Sequence, residues 1–400
     1  MLPEPWDPVI RPDPHSYWND LRATEPVAPR IGPVTGNTFW LLTRYEDCVA
    51  ALRTPLLGKE PEKHLDPSLV VDTANAGGAF DILGRNMLFL DPPDHTRLRS
   101  LVRDGFSNRT VEGLVPRITE IVDELIDRID GASAFDLIEA FALPLPIIVI
   151  AELLGIPVED QGRFREWTNA TLGRVATVEE SMTAGMEFIG YLNDLADARR
   201  VDPRDDMVSF LLHAESDGER LDHQEFLAMV FLLLVAGHET TVNLIGNGML
   251  ELIRNPGEFD RLLAGEVGVE SATEEMLRFH GPVESTTLRW AYDEVEIGGH
   301  TLQPGDLVVP ILMAANRDPD VFENPDRLDL GRSPNRHIAF GSGIHLCLGA
   351  PLARKETHIA LAGLRERVGR LDLDMDVADL EWNEGFFLRG ARSMRVRRVA

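Results

Sequence analysis

The strongest constraint in this sequence lies between Asp222 and Arg254, "DHQEFLAMVFLLLVAGHETTVNLIGNGMLELIR". Asp222 followed by Glu225 three residues on is a capping pair, and Asn255-Pro256 stops the pattern at the other end. A helix over this span rises on the order of 50 Å at 1.5 Å per residue, enough to cross the whole molecule. Its middle is apolar nearly all round, which predicts a central and buried element. The most hydrophobic part, 226–237, is about 12 residues against the roughly 20 needed to span a bilayer, so a core helix is expected there rather than a membrane anchor.

Helical periodicity dominates the rest. The stretches 15–24, 45–54, 94–106, 110–129 and 158–175 read as helices, as does the segment that follows Gly349. Alternating or β-branched pieces are shorter: 38–43, 286–299, 306–312 and 392–399. Strands are thus expected at the two ends of the chain and helices between them, a mainly α protein with a small β-rich lobe. No βαβ alternation occurs, so a doubly wound sheet is disfavoured. Length and apolar content allow one large domain or two modest ones.

A formal charge of −27 argues against nucleic acid or an anionic membrane as a general partner. The chain opens "MLPEPWDPVIRPDP", with five prolines and no apolar core of a signal peptide. Two cysteines without a CxxC leave no thiolate-based tetrahedral zinc site and indicate a reducing compartment. A cytoplasmic protein is expected.

Three stretches carry possible chemistry. In the apolar middle of the long helix stand Gly237, His238, Glu239, Thr240 and Thr241. A zincin site would need a second histidine where Val242 stands. Either these polar groups bond within the helix, or Ala236, Thr240 and Glu239 surround one turn of a pocket, with Gly237 admitting a flat ligand. In "EEMLR", Glu275 and Arg278 are spaced to pair on one helix face, as many surface ion pairs are. The Asn-, Asp- and Pro-rich stretch 316–332 contains Arg327, placed to join them. Lastly, "FGSGIHLCLG" (340–349) sets Cys347 among glycines just before a helix N-terminus, where N–H groups and the helix dipole favour a thiolate. The alternative is a small buried hydrophobe.

These residues resemble the cytochrome P450 superfamily. Phe340, Gly343, Cys347 and Gly349 stand in the four positions of its Phe-x-x-Gly-x-x-x-Cys-x-Gly haem-thiolate signature; "AGHETT" is similar to its oxygen-binding helix, "EEMLR" to its Glu-x-x-Arg and "NPDRL" to its meander arginine. The order of the motifs matches, "DPPDHTRLR" extends the likeness to the N-terminal half, and the form of the motifs resembles the soluble bacterial class. The resemblance implies a single P450 domain over 1–400, with the long helix over a buried haem b.

By resemblance, Cys347 is the iron ligand, with Phe340, Gly341, Gly349 and Ala236 against the haem and His95, Arg99, Arg289 and His345 at its propionates. Glu239 and Thr240 match the acid and alcohol that deliver protons to dioxygen. Glu275, Arg278 and Arg327 form a structural cluster. Leu232, Val235, Ala236, Val283, Thr286, Phe386 and Phe387 line a pocket for a lipophilic substrate, under a lid from about 60–90 and 160–195. The reaction implied is hydroxylation or epoxidation, with a secondary metabolite such as a macrolide, polyketide or terpenoid favoured and fatty acids and steroids open. Oxidative coupling, or a non-catalytic haem-thiolate sensor, are the alternatives. The chain has no flavin or iron–sulfur module, so a ferredoxin-type donor is implied. It would dock at the Cys347 face on a basic island of Arg97, Arg99, Arg103, Arg336, Arg354 and Lys355.

Overall fold

The computed structural model describes residues 4–5, 7–32, 38–70, 85–160, 162–163, 166–167, 177–216, 218–383 and 387–399. Its longer helices are α1 (Pro14–Thr24), α2 (Tyr45–Arg53), α3 (Asp94–Val102), α4 (Asn108–Arg128), α5 (Pro144–Leu154), α6 (Val178–Val201), α7 (Met207–His213), α8 (His223–Arg254), α9 (Pro256–Leu263), α10 (Val269–His280) and α11 (Ala350–Gly363). The capping pair forms as expected: Glu225 N–H donates to Asp222 Oδ1 at 2.8 Å, and Asp222 N–H to Glu225 Oε2 at 2.9 Å. Among the described residues α8 is the one helix long and apolar enough to cross a membrane, and 78% of its most apolar window is buried inside the protein.

Contacts divide the chain into two compact units. The first joins Met1–Asp72, Thr119–Leu143 and Thr240–Ala400; the second joins Thr73–Ile118 and Pro144–Glu239. The second is helical, built on α3, α5, α6, α7 and the first half of α8.

Among the described residues all the sheets lie in the first unit. Five strands, β1 (Val27–Ile31), β2 (Thr38–Leu42), β3 (Leu57–Gly58), β5 (Arg289–Ala291) and β8 (Leu307–Pro310), pair in the order β1-β2-β8-β5-β3, with only β2–β8 parallel. Successive side chains of a strand face opposite ways, and here both faces are covered. Val27, Leu42 and Val308 enter one core with Cys48, Leu52 and Ile338, while Ala28, Leu41 and Val309 enter another with Trp18 and Leu21 of α1. A second sheet pairs β4 (Ala134–Asp136) and β9 (Leu371–Leu373) with β10 (Arg395–Arg398), and β6 (Val295–Ile297) and β7 (His300–Leu302) form a hairpin.

Two features differ from the sequence reading. Strand β4 interrupts the stretch expected to be helical, because its hydrogen-bond partner β10 lies at the far end of the chain. Strand β1 carries Pro29 yet forms, since it is an edge strand on which a missing donor is tolerated. The expected helix over 158–175 falls largely outside the described residues.

The pair in "EEMLR" is no surface ion pair. Glu275 and Arg278 on α10 are both 0% exposed and join through Nε–Oε2 at 2.8 Å and Nη2–Oε1 at 2.7 Å. The expected third arginine is corrected: the Arg327 side chain is exposed and only its carbonyl takes part, accepting from Arg278 and Arg332. Arg332 is the residue whose guanidinium reaches Glu275, at 3.1 Å, because the turn at 324–327 carries Arg327 outward and brings Arg332 back. Asp329 N–H and the Asn335 amide also donate to Glu275. Arg278 in turn donates to the carbonyls of Asn316 and Pro325. One buried ion pair therefore organises the long irregular stretch from 316 to 335. Arg278→Leu leaves the Glu275 carboxylate short of its main partner in the interior, at a cost of ~3–5 kcal/mol out of a total of roughly 5–15. The expected result is little soluble folded protein; a thermal midpoint within a few degrees of wild type would contradict this role.

Candidate active site

Of the two cysteines only one is chemically available. Cys48 on α2 is fully buried and its thiol donates to Leu42 O at 3.2 Å; burial pushes the thiol far above its ordinary range. Cys347 is exposed. It sits in a loop closed by three backbone bonds, Gly341 N–H to Ile338 O (2.8 Å), Leu346 N–H to Gly343 O (3.1 Å) and Cys347 N–H to Phe340 O (3.0 Å). Gly341 and Gly343 adopt φ of +76° and +72°, which side-chain-bearing residues rarely adopt. A Cβ on Gly343 would also lie 2.3 Å from the Leu52 carbonyl oxygen, so that glycine lets the loop rest on the end of α2. Arg53 Nε, donating to Ser342 Oγ at 2.8 Å, pins it there. Gly349 is the residue before α11, so Cys347 stands at that helix's positive end, as the spacing predicts.

The donor set fits a metal that arrives already chelated. Among the described residues no cluster of three or more His, Cys, Asp or Glu is placed to bind a bare ion. Cys347 instead offers one sulfur beside Gly349, where an added Cβ would meet nothing within 4 Å. A single thiolate next to bare backbone suits iron held in a flat macrocycle.

The middle of α8 shows a second pattern. From Glu225 to Leu252 every residue is buried except Val235, Ala236, Gly237 and Thr240, of which Ala236 is exposed. Ala236 and Thr240 are one turn apart on the same face. His238 does not join this ribbon: it is buried, and its Nδ1–H donates to Leu234 O at 2.9 Å. Glu239 is buried beside it. Gly237 is partly exposed on this ribbon, and a Cβ there would lie 3.2 Å from Ile150 Cδ1, so the glycine also eases the approach of α5 to α8.

The other residues singled out by sequence fall as follows. In the first unit, Arg289 is buried with Nη1 donating to Leu57 O at 3.1 Å, and His345 closes a helical turn over Gly343–His345. Val283 and Thr286 are partly exposed; Val283 bridges to Leu388 and the next amide, Glu284 N–H, donates to Phe387 O at 2.9 Å, so Val283 and the exposed Phe387 are brought together. Phe386 lies outside the described residues. In the second unit, His95 and Arg99 are one turn apart on α3, His95 buried and Arg99 partly so, and Leu232 on α8 is largely buried. The expected basic island is thinner than the sequence implies. Arg97 pairs with Glu225 and Glu219, Arg103 with Asp104, and Arg354 with Glu274. Arg336 is exposed. Arg332, Glu274 and Arg53 were not singled out by sequence; the only available signals were the second acid of "EEMLR" and the arginine closing "RLDLGR".

The Cytochrome P450 family model matches residues 183–264 and 269–367. The polyketide biosynthesis cytochrome P450 PksS of Bacillus subtilis (strain 168) is 41% identical over 387 residues, covering 96% of this chain and 95% of that protein. The cytochrome P450 monooxygenase PikC of Streptomyces venezuelae is 42% identical over 390 residues, covering 96% and 91%. The crystal structure of the myxobacterial cytochrome P450 CYP267B1 in complex with myristic acid matches with a TM-score of 0.90 at 44% identity, covering 100% of each chain. With likeness at this level over nearly the full length, the chain belongs to the cytochrome P450 family and is a haem-thiolate monooxygenase that acts with dioxygen on a small molecule.

Proposed function

We propose that Cys347 is the thiolate ligand of the haem iron and that this P450 hydroxylates or epoxidises a lipophilic secondary metabolite of polyketide type. The observation that carries the reading is the single available sulfur: Cys347 is exposed at a helix N-terminus in a loop shaped by Gly341, Gly343 and Gly349, whereas Cys48 is sealed in the core. Haem, when bound, supplies the redox chemistry that activates dioxygen. By the family likeness, Phe340, Gly341 and Gly349 in the first unit and Ala236 in the second would pack against it, and Arg289 and His345 in the first and His95 and Arg99 in the second would supply donors for its two carboxylates. The α11 dipole and the loop amides stabilise the negative charge on the sulfur.

The remaining tasks fall on α8. Thr240 Oγ1, on the exposed ribbon, is able to accept and to donate a hydrogen bond and so would hold a water where a proton is needed; the neighbouring Glu239 side chain would take up a proton and pass it on to that site. By the family likeness, Val283, Thr286, Phe386 and Phe387 in the first unit and Leu232, Val235 and Ala236 in the second would line the substrate site, and these mostly apolar side chains suit a lipophilic substrate. Relatives include a 6-deoxyerythronolide B hydroxylase and a mycinamicin IV hydroxylase/epoxidase, which supports the choice of a polyketide-derived substrate. Electrons come from a ferredoxin-type protein at the Cys347 face, where Arg336 offers an exposed cation on a chain of net charge −27. The setting is cytoplasmic, and residues 1–400 act as one catalytic domain.

The reduced protein under carbon monoxide should show the red-shifted Soret band of thiolate-bound haem, and Cys347→Ala should abolish it; a band that survives the substitution removes the assignment. Titration with macrolides, terpenoids, fatty acids and steroids should give the haem spin-state change with the macrolide group at the lowest concentrations. Thr240→Ala should lower product formation on the order of a hundredfold while NADPH oxidation continues, measured as product per NADPH. Arg336→Glu should slow reduction by ferredoxin roughly threefold at low ionic strength, an effect that salt erases.

A further inference from the structure

The carboxylate beside Glu275 has no part in the roles above. Glu274 on α10 accepts two parallel bonds from Arg354, Nε to Oε1 at 2.7 Å and Nη2 to Oε2 at 2.9 Å, and a third from His337 Nε2 at 3.1 Å. His337 Nδ1 accepts from Ala339 N–H at 3.2 Å, so Nε2 carries the proton given to Glu274. His337 precedes the cysteine loop and Arg354 follows it in α11, so one carboxylate holds both flanks. The Arg354 guanidinium also lies 4.5 Å over the Phe340 ring, and the His337 ring centre is 6.3 Å from the same ring. Phe340 is the residue whose carbonyl accepts from Cys347 N–H. The cluster is half-buried, with side chains 30% exposed at Glu274, 34% at Arg354 and 4% at His337, so its charges are less screened than surface ones.

We propose that Glu274 is a positioning residue for the thiolate: it clamps the two flanks of the cysteine loop onto α10, and its charge balances the guanidinium stacked on Phe340, so that electron donation from the Cys347 sulfur is set from the neighbouring helix. This rests on the reading of Cys347 as iron ligand. A bidentate carboxylate–guanidinium pair fixes geometry as well as charge. With the carboxylate neutralised, an uncompensated cation beside the loop favours the electron-richer form of a nearby redox centre; with the guanidinium neutralised, an uncompensated anion disfavours it.

The test is the ferric–ferrous midpoint potential, measured with chemical mediators and no protein partner. Glu274→Gln is expected to raise it, Arg354→Gln to lower it, and the double variant to return it towards wild type, a cancellation that a purely structural role would not produce. Glu274→Gln should also speed denaturant-induced loss of the thiolate Soret band of the carbon monoxide complex about fivefold. Unmoved potentials in both single variants, or shifts of the same sign, overturn the proposal. If Glu274→Gln does not fold, Arg354→Gln decides alone, and an unchanged or raised potential overturns it. A wild-type protein without the thiolate band overturns the Cys347 assignment and this inference together, whereas a normal band with unmoved potentials overturns this inference only.

Discussion

Two adjacent carboxylates on α10 hold the chain that leads into and out of the cysteine loop. Glu275, without solvent access, gathers Arg278, Arg332, Asn335 and the Asp329 amide; Glu274, one residue earlier, gathers His337 and Arg354. A helix turns about 100° per residue, so neighbouring positions serve different segments. Glu275 holds the irregular stretch that leads toward the cysteine loop, and Glu274 holds the loop's own flanks. Hydrogen bonds from His337 and Arg354 outweigh partial burial and keep the Glu274 carboxyl at about 2, so the clamp is charged throughout the physiological range.

Irregular backbone can be as well ordered as a helix when its polar groups have fixed partners. The route from 316 to 347 shows how. Asn316 gives its carbonyl to Arg278 and its side-chain oxygen to the Ile338 amide, and Ile338 then enters the sheet core. Arg317 donates to the Phe279 carbonyl at the end of α10 and stacks 3.7 Å over that residue's ring. Further on, Gly343 rests on α2, and α2 packs on the five-stranded sheet through Cys48 and Leu52. The cysteine loop is thus supported by the sheet core through α2 and by α10, and its own glycines supply only the shape.

Much of this was legible from residue order. The helix over 222–254 with its cap, the turn of α2, strands β2, β8 and β10, and the placing of Cys347 just before a helix all follow from periodicity and local signals, which act over a few residues. What was not legible depends on partners far away in the chain. Strand β4 exists because β10 pairs with it. Arg332 rather than Arg327 meets Glu275 because of how the chain folds back after the turn at 324–327. That Gly237 also eases the approach of Ile150 on α5 is visible only in the packing.

The sequence by itself determined the family and pointed to Cys347 and to the acid–alcohol pair on the long helix, since each lies in a short motif whose residues are neighbours along the chain. Only the tertiary structure decided which of two cysteines is open, which arginine completes the buried cluster, and that Glu274 reaches both sides of the cysteine loop. Those are questions of burial and of contacts between segments separated by dozens of residues, and burial is a property of the folded packing that no local pattern contains.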